Sequence, residues 1–293
     1  KGVAPGAALV GVKVLDRRGS GTTSDVNAGI QWVIDNKATH GIEVGNMSLG
    51  VEGCSNGTDS TSTIVNAAVD AGIVMMVSAG NEGPGTCTIG SPAAAEKAIT
   101  VGAMADLYPG TKSGSLPGRG YYLAYFSSRG LTADGRTKPD ISSPGVFINA
   151  ALAGTTSDYQ VLSGTSMSSP FTAGVAALML DANSSLTTAQ VKDLIKSTAI
   201  DWDNVGADID YGAGRLDGFA AVKSAGSFSG TNISTPKHEY LTGNLTGTGD
   251  FDEFTFQVSD TSFPLASTLI MTGWTGSSSP DFDLEIRDGG GNP

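Results

Sequence analysis

The sequence is poor in the side chains that most often carry chemistry at neutral pH: its 293 residues include only two histidines and two cysteines. Two thiols are too few to hold a fold of this size together, so the fold must depend on a hydrophobic core. Two histidines leave few candidates for a general base. Positive charge is scarce as well, because 17 Lys and Arg face 29 Asp and Glu, a net charge of −12. That balance argues against binding to nucleic acid.

Long hydrophobic runs are also missing. Segments such as "GIVMMV" and "AALML" are far shorter than the roughly 20 residues needed to cross a bilayer. We therefore expect no membrane-spanning segment, and no signal peptide is visible. The opening "KGVAPGAALVGVKVL" reads as the interior of a domain, and the closing "RDGGGNP" stops on turn residues. We expect both ends to be cut from a longer sequence.

The two cysteines, Cys54 and Cys87, each lie in a loop rich in Gly, Ser and Thr. Two interpretations stay open. They are either two free thiols or a single disulfide that joins two surface loops of a secreted protein.

Strand and helix patterns alternate over residues 1–226. Apolar strands are predicted at 7–15, 41–50, 73–81 and 97–104, and amphipathic helices at 24–37, 60–72 and 185–199. Ser24 is the predicted cap of the first helix, and Thr187 and Gln190 form a predicted capping box in the last. This alternation predicts an α/β fold with a parallel sheet covered by helices on both faces. Ligand sites in such sheets form beyond the carboxyl ends of the strands.

The pattern changes in residues 227–293. Apolar and polar residues alternate with period two in "FDEFTFQV", "STLIMTGW" and "DFDLEIRD". Residues 231–293 contain nine acidic and two basic side chains, a net charge of −7. We therefore predict an acidic, antiparallel, β-sandwich-like module that is incomplete.

Ser166 lies in "GTSMSSP", between small residues and at the start of an apolar helical run. Small neighbours would let a substrate backbone come close, and a helix start supplies N–H donors and a partial positive charge. A capping hydroxyl is the alternative interpretation.

Asn81 follows an apolar strand in "VSAGNEG", at the edge where parallel sheets bind ligands. Its amide could donate to an oxyanion that develops at an acyl carbon, although a turn asparagine is the simpler interpretation. A third segment, "NMSLG" at 46–50, ends a strand on glycine and could offer its backbone to an extended peptide. Together the three segments indicate an acyl-transfer site.

These motifs, with "FSSRG", "KPDISSPG" and the opening "GVAPGAALVGVKVL", resemble the subtilisin-like serine proteases, the subtilases. The resemblance covers roughly residues 1–225 in the family's motif order. It implies a three-layer parallel-sheet fold, truncated at the N-terminus, and a serine endopeptidase.

The resemblance assigns roles residue by residue. Ser166 matches the nucleophile, and Asn81 matches the side-chain donor of the oxyanion hole, with the Ser166 N–H as the second donor. The matching substrate-binding residues are Gly19, Ser20, Gly21, Ser48, Leu49, Gly50, Ser78, Ala79, Gly80 and Gly90.

The base is the missing part. In this family the Asp and His motifs precede a "GVAP" sequence, which here begins at Gly2. We expect His40 and His238 to be surface residues rather than substitutes. Loss of the base costs about a millionfold in turnover, a magnitude established on a subtilisin. The chain alone is therefore expected to be inactive, and a non-catalytic subtilase-like binding or structural protein is the alternative.

The resemblance also sets expectations about cofactors and partners. No cofactor is required for the chemistry, and no catalytic metal site is predicted. A structural Ca²⁺ could use carbonyls around Ala93 to Ala98, and Glu82 at the pocket rim either favours basic substrates or is solvated. We expect a monomeric, extracellular protein that acts on proteins or peptides and does not bind membranes. A propeptide or the missing N-terminal segment is a further expected partner.

Overall fold

The computed structural model describes residues 2–105, 122–202, 205–229, 250–255 and 287. The chain divides into two units, Lys1–Gly230 and Thr231–Pro293. The second unit is described only at 250–255 and 287, where the chain forms neither helix nor strand. The β module predicted there otherwise lies outside the described residues. No helix in the described ranges is long and apolar enough to cross a membrane.

A mainly parallel sheet forms the centre of the first unit. The described strands are β1 (Val44–Met47), β2 (Val74–Ser78), β3 (Ile99–Ala105), β4 (Tyr122–Leu123), β5 (Gly130–Leu131), β6 (Thr137–Lys138), β7 (Ile141–Pro144), β8 (Ile148–Ala151) and β9 (Tyr159–Leu162). β1, β2, β3 and β7 lie side by side and parallel, and β4 pairs antiparallel with the end of β3. β5 and β6 form one small antiparallel pair, and β8 and β9 form another.

The described helices are α1 (Thr23–Asp35), α2 (Lys37–His40), α3 (Ser60–Asp70), α4 (Thr165–Ala182), α5 (Thr188–Ser197) and α6 (Gly218–Ala225). Capping side chains accept from the first N–H groups of α1, α3, α5 and α6. α5 begins at the predicted capping box of Thr187 and Gln190. The cap of α1 is Thr22, two residues before the predicted Ser24, because Thr22 and Asp25 form a capping box there.

Alternate residues of β2 face opposite layers of the molecule. Met75 and Val77 belong to the apolar cluster that includes α1 and α3. Val74 and Met76 belong to the cluster that includes α4, α5 and α6. The strand is buried on both faces, as its continuous apolar sequence predicts. The three-layer α/β architecture is therefore confirmed.

The predicted strand at 7–15 is wrong for this structure. The segment is assigned no strand, and Leu9 is 94% exposed. Only its end packs against the core, where Val14 and Leu15 contact the cluster beneath α1. A strand requires a partner for its backbone groups. No described strand pairs with this segment, because β1 is hydrogen-bonded to β2 alone.

Candidate active site

Ser166 lies in the first turn of α4, which begins one residue earlier. The residue is half-buried, and its Oγ lies 3.5 Å from the carbonyl oxygen of Ser48. The first N–H groups of a helix have no carbonyl one turn earlier to bond. The hydroxyl of Ser166 is therefore presented beside helix N–H donors, as the sequence predicts.

Asn81 follows the carboxyl end of β2 and reaches the start of α4. Its Oδ1 accepts hydrogen bonds from the backbone N–H and the hydroxyl of Thr165, each at 3.0 Å. Because Oδ1 is bonded to Thr165, the Nδ2 group on the other side of the amide points away from Thr165 and can act as a donor. A Cβ placed on Gly164 would lie 3.7 Å from this Nδ2, which puts the amide next to the turn that carries Ser166.

The end of β1 is tied to the same turn of α4. The hydroxyl of Ser48 donates to the carbonyl of Ser166 at 2.8 Å and accepts from Nδ2 of Asn46 at 3.1 Å. Oδ1 of Asn46 in turn accepts from the hydroxyl of Ser169 at 2.7 Å. Three polar side chains thus hold the "NMSLG" segment against the turn that carries Ser166.

The "NMSLG" segment continues into a contact with the loop at Gly90. The N–H of Val51 donates to Ser91 at 2.7 Å, and the N–H of Ser91 returns a bond to Val51 at 3.2 Å. A Cβ on Gly90 would collide with the Val51 carbonyl. Gly90 is buried where the backbone of its loop passes close to the backbone at Val51. This contact brings Gly90 next to the segment Ser48–Gly50.

Ser78, Ala79 and Gly80 carry the chain from β2 to Asn81. Gly80 has φ +109°, a conformation that favours glycine. A Cβ there would lie 2.6 Å from Oγ of Ser128 and 2.5 Å from Oε2 of Glu82. The hydroxyl of Ser128 donates to this Glu82 oxygen at 2.9 Å. Glu82 is thus half-buried and bonded beside the site, which differs from a fully solvated rim residue.

A disulfide joins Cys54 to Cys87, with their Cα atoms 5.0 Å apart. This bond selects between the two interpretations that the sequence left open. Cys54 lies in the loop after Gly50, and Cys87 lies in the loop between Asn81 and Gly90. The disulfide thus connects the two loops that meet at the Val51–Ser91 contact.

Gly19, Ser20 and Gly21 lie in a separate exposed turn. The carboxylate of Asp16 accepts from the N–H groups of Arg18 at 2.7 Å and Ser20 at 3.0 Å, which closes the turn. Across the described ranges, no hydrogen bond connects this turn to Ser48, Asn81 or Ser166. The role of Gly19, Ser20 and Gly21 in substrate binding stays a prediction.

His40, the histidine within the described residues, does not lie beside Ser166 and cannot act as its base. His40 ends α2 and stacks on Trp32, with ring centroids 5.5 Å apart. His40 precedes β1 and Ser48 follows β1. The length of this four-residue strand, about 13 Å, therefore separates the two residues. His238 lies outside the described residues. The carboxylates of Asp16 and Asp140 are bonded to backbone N–H groups and ammonium groups.

Three carbonyls of the segment predicted to form a weak cation site, those of Ala93, Ala94 and Ala98, accept hydrogen bonds from side-chain donors. Ala93 accepts from the hydroxyl of Thr100 at 2.6 Å, and Ala94 accepts from Nη2 of Arg136 at 2.9 Å. Ala98 accepts from two lysine ammonium groups. A metal ion does not fit at these carbonyls, and the described ranges hold no cluster of His, Cys, Asp or Glu that could bind one.

Two residues of the site were missed in the sequence. Thr165, which positions Asn81, stands directly before Ser166 in the quoted motif, so adjacency was an available signal. Asn46, which links Ser48 to Ser169, lies within "NMSLG", but nothing in the sequence says which way its side chain points.

Known proteins resemble this chain in sequence and in fold. The family model "Subtilase family" matches residues 1–215. The serine protease AprX of Bacillus subtilis is 39% identical over 235 residues, which cover 74% of this chain and 52% of that protein. A subtilisin of Bacillus pumilus is 39% identical over 224 residues, 76% of this chain and 70% of the relative.

Solved structures give the same result. A cold-adapted subtilisin-like serine proteinase matches with a TM-score of 0.55 and 33% identity, covering 74% of this chain and 70% of that one. Sphericase matches with a TM-score of 0.59 and 28% identity, covering 69% and 66%. The chain spans about half the length of several curated relatives that it matches.

Proposed function

The chain belongs to the subtilase family, and we propose that it carries the nucleophile and oxyanion hole of a serine endopeptidase. Ser166 is the nucleophile in this proposal. Nδ2 of Asn81 and the N–H of Ser166 are the two oxyanion donors. Ser48–Gly50, Ser78–Gly80 and Gly90 form the walls that receive the peptide.

The proposed reaction is acyl transfer through Ser166. Its Oγ attacks the peptide carbonyl carbon while the hydroxyl proton passes to a base, and the carbonyl oxygen becomes an oxyanion. The C–N bond then breaks, and the amine leaves with the proton from the base. Water attacks the acyl-enzyme in the same way and releases the acid. Subtilases need no cofactor for this chemistry.

The observation that supports this proposal best is the pair of hydrogen bonds between Thr165 and Oδ1 of Asn81. They hold the amide so that Nδ2 lies beside the Ser166 turn, where it donates to no other residue of the described ranges. A donor that is fixed before the reaction stabilises developing charge without reorganisation. A turn asparagine with only a structural role has no need of this arrangement.

The base in this proposal is a histidine other than His40, because His40 lies before β1 and stacks on Trp32. With these 293 residues alone we expect very slow turnover. The oxyanion hole and substrate binding still leave a residual acceleration of about a thousandfold over water.

Peptides are the substrate class that family membership implies. We further propose an extracellular location, because an exposed disulfide between Cys54 and Cys87 persists in oxidising compartments. A monomer, with a propeptide or N-terminal segment as partner, completes this proposal. A structural Ca²⁺, where one is bound, lies elsewhere than at Ala93–Ala98.

Labelling with a fluorophosphonate, followed by peptide mapping, tests the proposal. We expect slow modification confined to Ser166, faster than at other serines and absent in Ser166→Ala. Modification of Ser166 no faster than at ordinary serines would favour a passive binding protein. Rapid labelling of the chain alone would show that a histidine of this chain reaches Ser166, and would overturn the assignment of the base.

A further inference from the structure

A buried carboxylate lies between lysines from two elements at the amino end of β3. Asp140 is 5% exposed, and Lys138 is 2% exposed. Lys192 reaches the same carboxylate from α5, with its side chain 17% exposed. Neither lysine ammonium takes part in the proposed peptidase chemistry.

Each of the two ammonium groups is surrounded by three oxygen atoms. Nζ of Lys138 lies 2.6 Å from Oδ2 of Asp140, 2.8 Å from Oγ1 of Thr100 and 3.1 Å from the Ala98 carbonyl. An ammonium group has three N–H donors, so this lysine is fully bonded.

Lys192 is bonded in the same way. Its Nζ lies 2.8 Å from the Ala98 carbonyl, 2.9 Å from the Glu96 carbonyl and 3.1 Å from Oδ1 of Asp140. The two ammonium groups thus donate to the same Ala98 carbonyl. At Asp140, Lys138 donates to Oδ2 and Lys192 pairs with Oδ1.

Carbonyl, hydroxyl and carboxylate oxygens converging on one place are the ligands that hard cations take in proteins. Here that set, which we call the Asp140 cage, consists of the Glu96 and Ala98 carbonyls, Oγ1 of Thr100 and the Asp140 carboxylate. The ammonium groups of Lys138 and Lys192 already face one negative charge inside it, and the more exposed ammonium of Lys196 adds a third positive charge 3.9 Å from Oδ1 of Asp140. A further cation would be repelled strongly at this depth, because charges interact more strongly away from water.

We infer that the Asp140 cage is a cation site filled from within, in which the ammonium groups of Lys138 and Lys192 take the place of metal ions. The fold around β3 and α5 then requires no added cation. Removal of the Lys192 ammonium opens the cage to a small monovalent cation, because one positive charge and its three N–H donors are lost while the three oxygens around it remain. Lys196, whose side chain is 39% exposed, can turn its ammonium towards water as the cation enters. Na⁺ and K⁺ are the probes of matching charge.

Thermal unfolding of the full chain in matched NaCl, KCl and tetramethylammonium chloride tests this inference. The tetramethylammonium ion is too large for the cage. In its chloride salt, Lys192→Met should therefore lower Tm by about 10 °C, because the variant breaks a buried ion pair and no cation replaces the ammonium. NaCl or KCl at about ten times the dissociation constant should restore about 3 °C or more. Lys192→Arg, which keeps the charge, should show no such salt preference.

The matched control is Lys97→Met, which removes an ammonium from the exposed pair with Asp70. It should respond to the three salts as the wild type does. A Lys192→Met variant with no greater preference for Na⁺ or K⁺ than Lys97→Met would overturn the inference. A specific Na⁺ or K⁺ stabilisation of the wild type would overturn it as well. If Lys192→Met gives no folded protein, Lys192→Gln replaces it, since it keeps a donor but removes the charge.

Discussion

The backbone N–H and the hydroxyl of Thr165 both lie 3.0 Å from Oδ1 of Asn81. One threonine therefore fixes Oδ1 as the accepting end of the Asn81 amide and leaves Nδ2 as its donor beside Gly164. The same hydroxyl lies 3.3 Å from the Gly80 N–H, so it also connects the end of β2 to the start of α4.

Replacement of Thr165 by Val should lower catalysis without weakening substrate binding. The variant keeps the backbone bond to Asn81 but loses the hydroxyl, and one hydrogen bond corresponds to roughly a tenfold change in rate. Loss of the oxyanion donor itself costs about 100- to 1,000-fold, a value established on a subtilisin. Hydrolysis of an activated p-nitrophenyl ester measures the effect as a lower kcat at constant KM. Thr165→Ser should retain the rate, and an equal loss in both variants would contradict the positioning role.

Acid should destabilise the fold through Asp140. Burial by itself raises the pKa of this carboxyl, but the charges of Lys138 and Lys192 outweigh it and lower the pKa to about 2. Because the folded pKa is below the unfolded value, the stabilisation is complete above about pH 4 and is lost as the pH falls towards 2. It amounts to about 2 kcal/mol. Denaturant unfolding across this range should show a steeper loss for the wild type than for Asp140→Asn, and equal slopes would contradict the assignment.

Reduction of the disulfide should lower stability. Cys54 and Cys87 are 33 residues apart, and closing a loop of that length stabilises a fold by about 3–4 kcal/mol. A unit of this size should lose about 10 °C in Tm. Unfolding scans with and without a phosphine reductant measure the shift. Cys54→Ser/Cys87→Ser should reproduce it and no longer respond to the reductant; a reductant effect that persists would have another origin.

Gly90→Ala should disturb the substrate wall. Its Cβ would collide with the Val51 carbonyl and force the two backbones apart at the Val51–Ser91 contact. Overpacking of this kind costs about 1–3 kcal/mol. Gly85→Ala in the same loop is the control, since its Cβ would make only an ordinary contact of 3.7 Å with Thr88. Equal unfolding midpoints for the two variants would contradict the close approach.

Local signals predicted the elements whose causes lie within a few residues. The capping box of Thr187 and Gln190 fixed the start of α5, and the continuous apolar run of β2 indicated a strand buried on both faces. The Ser166 and Asn81 motifs also sufficed to predict one site, because both follow from the carboxyl edge of a parallel sheet.

Contacts between distant segments could not be predicted in this way. The apolar pattern at 7–15 indicates a strand, but pairing depends on a neighbour that a local pattern does not contain. The carbonyls at Ala93–Ala98 suggested a cation site, because nothing in that segment reveals the ammonium of Lys192 on α5. The pairing of Cys54 with Cys87 likewise depends on the fold.

The alternation of β2 between two helical layers has a consequence for how this chain can vary in length. One extra residue between Val74 and Ser78 would move every following side chain of the strand to the opposite face of the sheet. It would also turn Asn81 away from Thr165. The packing of both helical layers and the position of Asn81 therefore depend on a single register of β2. Insertions and deletions should be tolerated instead in the exposed loop beyond Asn81, at 84–86, where a change of length leaves both layers, the amide and the disulfide at Cys87 undisturbed.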